Sequence, residues 1–275
     1  MYIYWLEQRA EDVPPMDDWL SAGETVILDG LRFAKRRTDW RLGRWTAKHA
    51  VASFLNLPAH PQALANIEIR PAPSGAPEAF VANAPAPVSI SLSHRDGTAL
   101  CAIASSRAGL EVELGCDLEI IEPRSEAFVA DYFAPEEQAL MARSSPADRP
   151  RISALLWSAK ESALKALREG LRLDTRSVVA SLFVDSFDSG SSDLNRWNPL
   201  HIRCADGSVF RGWWQMTDSV VRTVVANPCP RSPILLNVPA CFSGHAPFPI
   251  PSRREKIKAA VSMVHGSGNF YAPSQ

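Results

Sequence analysis

One four-residue phrase, repeated inside two separate helical stretches, constrains this chain more than any other feature. Trp45-Thr46-Ala47-Lys48 returns as Trp157-Ser158-Ala159-Lys160, and each copy is followed by small and apolar residues. The copies lie 112 residues apart, near half of the patterned part of the chain, as two related halves of one fold would give. The expectation is α+β: two similar halves, residues 1–108 and 109–230, with a tail of limited order over 231–275.

The local patterns fit that reading. A helix is expected from Thr38 or Asp39 to Leu55, ending before Pro58. Residues 71–87 carry five prolines and read as a loop. Ser89–Ala104 alternates like one or two strands around a turn at Asp96-Gly97. Leu110–Ile121 reads as a strand, Phe128–Arg143 as helical, and Ile152–Arg168 as a helix closed by Gly170. Later strands are expected at Ser177–Val184, His201–Cys204, Val209–Gln215 and Val220–Ala226. The polar stretch Asp185–Asn198 reads as a loop, and a short helix is expected at Arg254–Val264 in the tail.

Composition excludes several classes. At 46% hydrophobic and 21% charged the chain is an ordinary globular one. A net charge of −1 gives no general pull toward nucleic acid or an anionic membrane. No uncharged apolar run is long enough to span a bilayer, and the first residues lack a signal peptide's apolar core. Five cysteines without a C-x-x-C pair fit a reducing compartment, so a cytoplasmic protein is expected. Locally the charge is unbalanced. Seven basic residues against one acid fall between Arg32 and Lys48, and six acids against one base between Glu111 and Glu126.

Three constellations carry chemistry. In Gly115-Cys116-Asp117-Leu118-Glu119 the strand period puts Asp117 and Glu119 on one face, with Cys116 and Leu118 on the other. Adjacent carboxylates repel unless a cation lies between them, and hard oxygen ligands suit Mg²⁺. Alone, such a pair is more often an ordinary solvated strand face. In the helix Trp157–Lys165, positions 157, 161, 165 and 168 form one stripe, joining Trp157, Glu161, Lys165 and Arg168. Glu161 there could be a third carboxylate for the metal and Lys165 a phosphate contact or proton acceptor, or the two a modest i,i+4 pair. Ser89, Ser91 and Ser93 share a strand face that ends at His94, a candidate phosphate donor.

Taken in order, Ser91-Leu92-Ser93-His94, Gly115-Cys116-Asp117-Leu118-Glu119 and Trp157-Ser158-Ala159-Lys160-Glu161-Ser162 resemble the 4′-phosphopantetheinyl transferases of the larger, monomeric type. Gly43-Arg44 with Ala47-Lys48, Gly75-Ala76-Pro77 and Phe133-x-x-x-Glu137 support the resemblance, which covers about residues 25–226. It implies two α+β halves with the active site in the cleft between them. It also implies Mg²⁺ (or Mn²⁺) on Asp117, Glu119 and Glu161, and coenzyme A as substrate. Ser93, His94, Lys160 and Lys165 would face the phosphates of coenzyme A. Arg37, Arg41, Arg44, Lys48 and Arg70 would hold its 3′-phosphate and adenosine side. The partner implied is an apo acyl or peptidyl carrier protein, whose serine would attack the β-phosphorus and release 3′,5′-ADP. Glu137 and Lys165 are both candidates for the base that takes the serine proton. Competing readings are a degenerate homologue that only binds, and another Mg²⁺-dependent phosphate enzyme such as a nucleotide phosphohydrolase.

Overall fold

The computed structural model describes residues 1–106, 112–169, 173–181 and 196–237, all inside one unit spanning Met1–Pro239. The chain opens with β1 (Tyr4–Arg9), then α1 (Ala22–Gly30) and α2 (Ala34–Phe54). A short helix α3 (Pro61–Leu64) leads into a small sheet of β2 (Ile67–Pro71), β3 (Pro77–Val81) and β4 (Ala84–Pro85). The hairpin β5 (Val88–Arg95) and β6 (Thr98–Ser105) follows, then β7 (Glu113–Ile120). Helices α4 (Glu126–Tyr132), α5 (Pro135–Arg143) and α6 (Arg149–Ala166) come next. The last strands are β8 (Val178–Ser181), β9 (Asn198–Cys204), β10 (Val209–Met216), β11 (Val220–Asn227) and β12 (Ile234–Leu235).

These strands form two main sheets, β12-β1-β6-β5 and β7-β11-β10-β9-β8. Leu100, Ala102 and Ala104 on β6 pack against Leu114, Cys116 and Leu118 on β7, so the sheets share a dry seam. The other face of the first sheet receives Trp45, Ala50 and Val51 of α2. The other face of the second receives Leu155, Ala159 and Ala163 of α6. The order is therefore helix, sheet, sheet, helix. Strand β6 is covered on both faces, which is why it reads as a nearly unbroken small and apolar run; β7 buries apolar side chains only at Leu114, Cys116 and Leu118, on the face toward β6. No helix among the described residues is long and apolar enough to cross a membrane.

The repeated phrase marks the same device in both helices, α2 and α6. Lys48 of α2 reaches Glu24 of α1 at 2.5 Å and donates to Trp19 O and Leu64 O. Glu24 in turn accepts from Ser21 N and from Ile69 N of β2, both at 3.0 Å. Lys160 of α6 reaches Glu137 of α5 at 2.7 Å and donates to Thr175 O and Val178 O. Glu137 accepts from Ala134 N and from Ala180 N of β8, both at 2.8 Å. Each pair has almost no solvent exposure and ties the main helix to the helix and strand beside it. Buried charges persist when every lone pair and proton has a partner.

Several expected boundaries shift. Helix α2 starts at Ala34, one turn before Thr38, with Phe33 as its N-cap residue. The proline-rich 71–87 is not a plain loop: Pro71 and Pro77 face each other where the β2–β3 ladder ends, and Pro85 sits on the outer strand β4. The 128–143 helix is two, broken at Phe133-Ala134. Pro135 disfavours helical backbone at Ala134, which is extended. The Asp96-Gly97 turn is as expected, both residues having positive φ (46° and 71°). Strands β1, β2, β3, β4 and β12 and helix α1 had no sequence counterpart. Gly170, most of the 185–198 loop and the Arg254–Val264 helix lie outside the described residues.

Candidate active site

Gly115 sets the distance between α6 and β7. A Cβ there would lie 1.8 Å from Ser162 O and 2.8 Å from Ala166 N, so only glycine admits the helix backbone this close. Beside it Thr223 of β11 joins Ser158 Oγ at 2.9 Å and Ser162 Oγ at 2.5 Å. The small residues of Trp157-Ser158-Ala159-Lys160-Glu161-Ser162 thus form a close helix–sheet seam, while Lys160 anchors α5. Glu161 and Lys165 emerge one turn apart toward the odd-numbered face of β7.

There Lys165 Nζ donates to Asp117 Oδ1 at 2.7 Å and to Cys116 O at 3.1 Å. Ser93 Oγ of β5 donates to the same Asp117 oxygen at 2.8 Å, and Ser91 Oγ accepts from Cys116 N at 3.0 Å. The serine alternation therefore clamps the edge of one sheet to the edge of the other. Asp117 Oδ2 is buried without a hydrogen-bond partner. Glu119 accepts from Arg124 Nη2 at 2.9 Å, with Arg95 Nε 4.0 Å away. Trp157, Phe128 and Tyr132 pack edge to face next to these carboxylates.

The electrostatics follow from crowding. Burial raises the pKa values of both Glu119 and Glu161, and the charge of Asp117 raises them further. Burial works against the Lys165 ammonium, yet Asp117 and Glu161 outweigh it and hold its pKa above the ordinary lysine value. Lys165 is thus held as a cation by its carboxylate neighbours.

Two clefts lie beside this cluster. One, of about 1040 Å³, runs between the β3–β4 segment and β5 and ends at Leu114, Lys165 and Arg168. The other, of about 580 Å³, is lined by Lys35, Arg36, Arg44, Arg70 and His94, with Asp39 as its acid. They share Gly75, Pro77 and Leu92 as a common wall. Burial lowers the His94 pKa, so the ring is neutral near pH 7. Arg44 lies over the Trp40 ring at 4.8 Å with Glu24 behind it at 3.9 Å, which fixes its guanidinium at the cleft.

The candidate residues therefore divide. Asp117, Glu119, Glu161, Lys165 and Ser93 gather at the β5–β7–α6 junction, and Arg44, Arg70 and His94 line the basic cleft. Five others have partners within the chain. Glu137 and Lys160 neutralise each other in a closed, buried pair. Lys48 is spent on Glu24 in the same way. Arg37 donates to Leu28 O and Leu31 O and so caps α1. Arg41 binds Asp17 at 2.7 Å and Pro14 O, fastening the segment before α1. Sequence reasoning missed Lys35 and Arg36 in the cleft, although both lie in the basic run, and missed Arg124, noted only as the lone base among acids.

As the chain stands, no three His, Cys, Asp or Glu groups among the described residues are arranged to hold a metal ion. The donor set nonetheless suits a hard divalent cation: a buried, unpartnered Asp117 oxygen, and two neighbouring carboxylates whose charges oppose one another. Lys165 and Arg124 meanwhile supply the positive charge.

Comparison with known proteins is consistent with this geometry. Residues 113–215 match the 4′-phosphopantetheinyl transferase superfamily, a span that includes β7 and α6. A similar protein is 4′-phosphopantetheinyl transferase HetI of Nostoc sp. strain PCC 7120. It is 26% identical over 168 residues, which cover 60% of this chain and 67% of that one.

Proposed function

From the premise that the chain belongs to the 4′-phosphopantetheinyl transferase superfamily, whose chemistry is phosphopantetheinyl transfer from coenzyme A, we propose that it modifies a serine of an apo acyl or peptidyl carrier protein. We read it as a monomeric, cytoplasmic member of the larger type, built from two related halves over 1–108 and 109–230. The observation that carries the transfer reading is Asp117: it keeps one buried oxygen unpartnered, and the two residues that clamp it line the two clefts, Ser93 the basic one and Lys165 the larger.

The basic cleft takes the 3′-phosphate and adenosine side of coenzyme A, with Arg44 and Arg70 as fixed cations and Lys35 and Arg36 beside them. Lys165 and His94 face the diphosphate. A Mg²⁺ or Mn²⁺ ion held by Asp117, Glu119 and Glu161 would neutralise charge on the diphosphate oxygens. The carrier serine oxygen bonds to the β-phosphorus as the bond to the departing 3′,5′-ADP breaks. Its proton needs an acceptor. Glu161 and Lys165 are the groups placed to take it, directly or through a water, whereas Glu137 is sealed against Lys160. In its protonated form Lys165 also stabilises the negative charge of the transferring group.

The deciding experiment is intact-mass spectrometry of an apo carrier after incubation with this protein, coenzyme A and Mg²⁺. A phosphopantetheine-sized gain that disappears with chelator supports the proposal; 3′,5′-ADP formed without any carrier gain overturns it in favour of a phosphohydrolase. Arg44→Ala is expected to raise the KM for coenzyme A roughly tenfold or more with kcat nearly kept, because its contact is equal in ground and transition states. Steady-state kinetics at saturating carrier checks this, and a loss confined to kcat speaks against the binding role.

A further inference from the structure

Glu119 already carries a cation of its own chain. Arg124 Nη2 donates to its Oε2 at 2.9 Å, with both side chains nearly buried (13% and 10% exposed). The guanidinium lies 4.7 Å from the centre of the Phe128 ring, and its Nε is buried with no partner. Arg95 stands 4.0 Å from the same Glu119 oxygen but is committed to Glu122 at 2.8 Å. Lys165 plays the matching part on Asp117. Counting these groups, three carboxylates (Asp117, Glu119, Glu161) face two cations (Lys165, Arg124), leaving a net charge of −1.

We propose that Arg124 is the resident counter-ion of Glu119, a positioning residue that an entering divalent cation must displace and that sets how tightly the free protein binds it. The inference rests on the carboxylate site proposed above. A lone pair given to a guanidinium is withheld from a metal, and a nearby fixed positive charge repels a divalent ion strongly in a partly buried site. With Arg124 in place the ion meets a net charge of −1; without it, −2. The guanidinium is held by one ion pair and a ring face, with one donor already unsatisfied. Moving it therefore costs less than moving a fully hydrogen-bonded arginine.

The test uses the full chain without coenzyme A, with Mn²⁺ as the probe and free Mn²⁺ read by electron paramagnetic resonance. Arg124→Gln is expected to bind Mn²⁺ about tenfold more tightly than the parent, and Arg124→Lys, which keeps the charge, to stay within about twofold. Asp117→Asn should lose the binding. Phe128→Leu keeps both charges but removes the ring that holds the guanidinium, and should tighten binding by about two- to threefold even if Arg124→Gln does not fold. Binding that is sensitive to Asp117→Asn yet unchanged or weaker in Arg124→Gln, or unchanged in Phe128→Leu when that is the only folded variant, overturns the counter-ion role and leaves the metal site standing. Mn²⁺ binding indifferent to Asp117→Asn, or none at all, overturns the carboxylate site and the counter-ion role together.

Discussion

Glu161→Gln is expected to lower carrier modification roughly a thousandfold, about 4 kcal/mol of transition-state stabilisation, while the metal-free protein becomes more stable at neutral pH. The two effects share one cause. Burial and the charges of Asp117 and Glu119 hold the Glu161 pKa above its ordinary value of 4.5. A carboxyl whose folded pKa is raised binds more protons folded than unfolded, so stability falls as pH rises through that interval. Below about pH 4 the group is neutral in both states and the penalty is absent. Near pH 7 it is fully present, and glutamine removes it. Thermal melting with chelator should therefore rise in the variant at about pH 7 and match the parent at about pH 4. Equal melting at both values would mean that Glu161 is relaxed, and unimpaired transfer would remove it from the site.

Gly115→Ala carries the largest expected structural effect. The added methyl would stand 1.8 Å from Ser162 O, a backbone atom inside α6, so neither a rotamer change nor a small shift relieves the contact. The helix must leave the strand, separating Lys165 from Asp117 and breaking the Ser158–Thr223–Ser162 hydrogen bonds. We expect a loss of about 3 kcal/mol or more, seen as a lower denaturant midpoint or as insoluble protein. Gly43 is the control. It lies within α2, with nothing inside 4 Å of the position its Cβ would take. Gly43→Ala should leave stability unchanged or raise it by up to about 1 kcal/mol. If both substitutions behave alike, α6 sits farther from β7 than described.

How much of this was legible depends on what each residue does. The β5–β6 hairpin was readable because Asp96-Gly97 is a strong local signal between alternating residues. Helix α6 and strands β9–β11 were readable from periodicity alone. The small β2–β3–β4 sheet was not, since its prolines occupy the ladder end and outer strand, positions that tolerate them, and prolines in sequence look like loop. The carboxylates of β7 were legible from strand alternation, and their convergence with α6 was implied by resemblance. The interior partners of Lys48, Lys160 and Glu137 were not legible for a physical reason: sequence does not say whether a charged side chain meets solvent, ligand or an interior partner. Yet the repeat held the clue. A lysine present in both copies serves something both helices need, whereas only α6 lies beside the carboxylate pair on β7. Arg124 was invisible because its role lies in a single contact five residues from Glu119 along the chain.

The two closed lysine–glutamate pairs also sort the amines of this protein by reactivity. Four lysines fall among the described residues. Lys48 and Lys160 have no exposed side-chain surface, Lys35 is 84% exposed and Lys165 28%. Acylation requires a free, approachable amine, so a mild reagent on the folded chain is blocked at the first two positions by burial. It is slowed at Lys165 by the carboxylates that keep that amine protonated. The two sealed amines become reporters of unfolding and Lys165 a reporter of the charge around it, each read from a different peptide of the same digest.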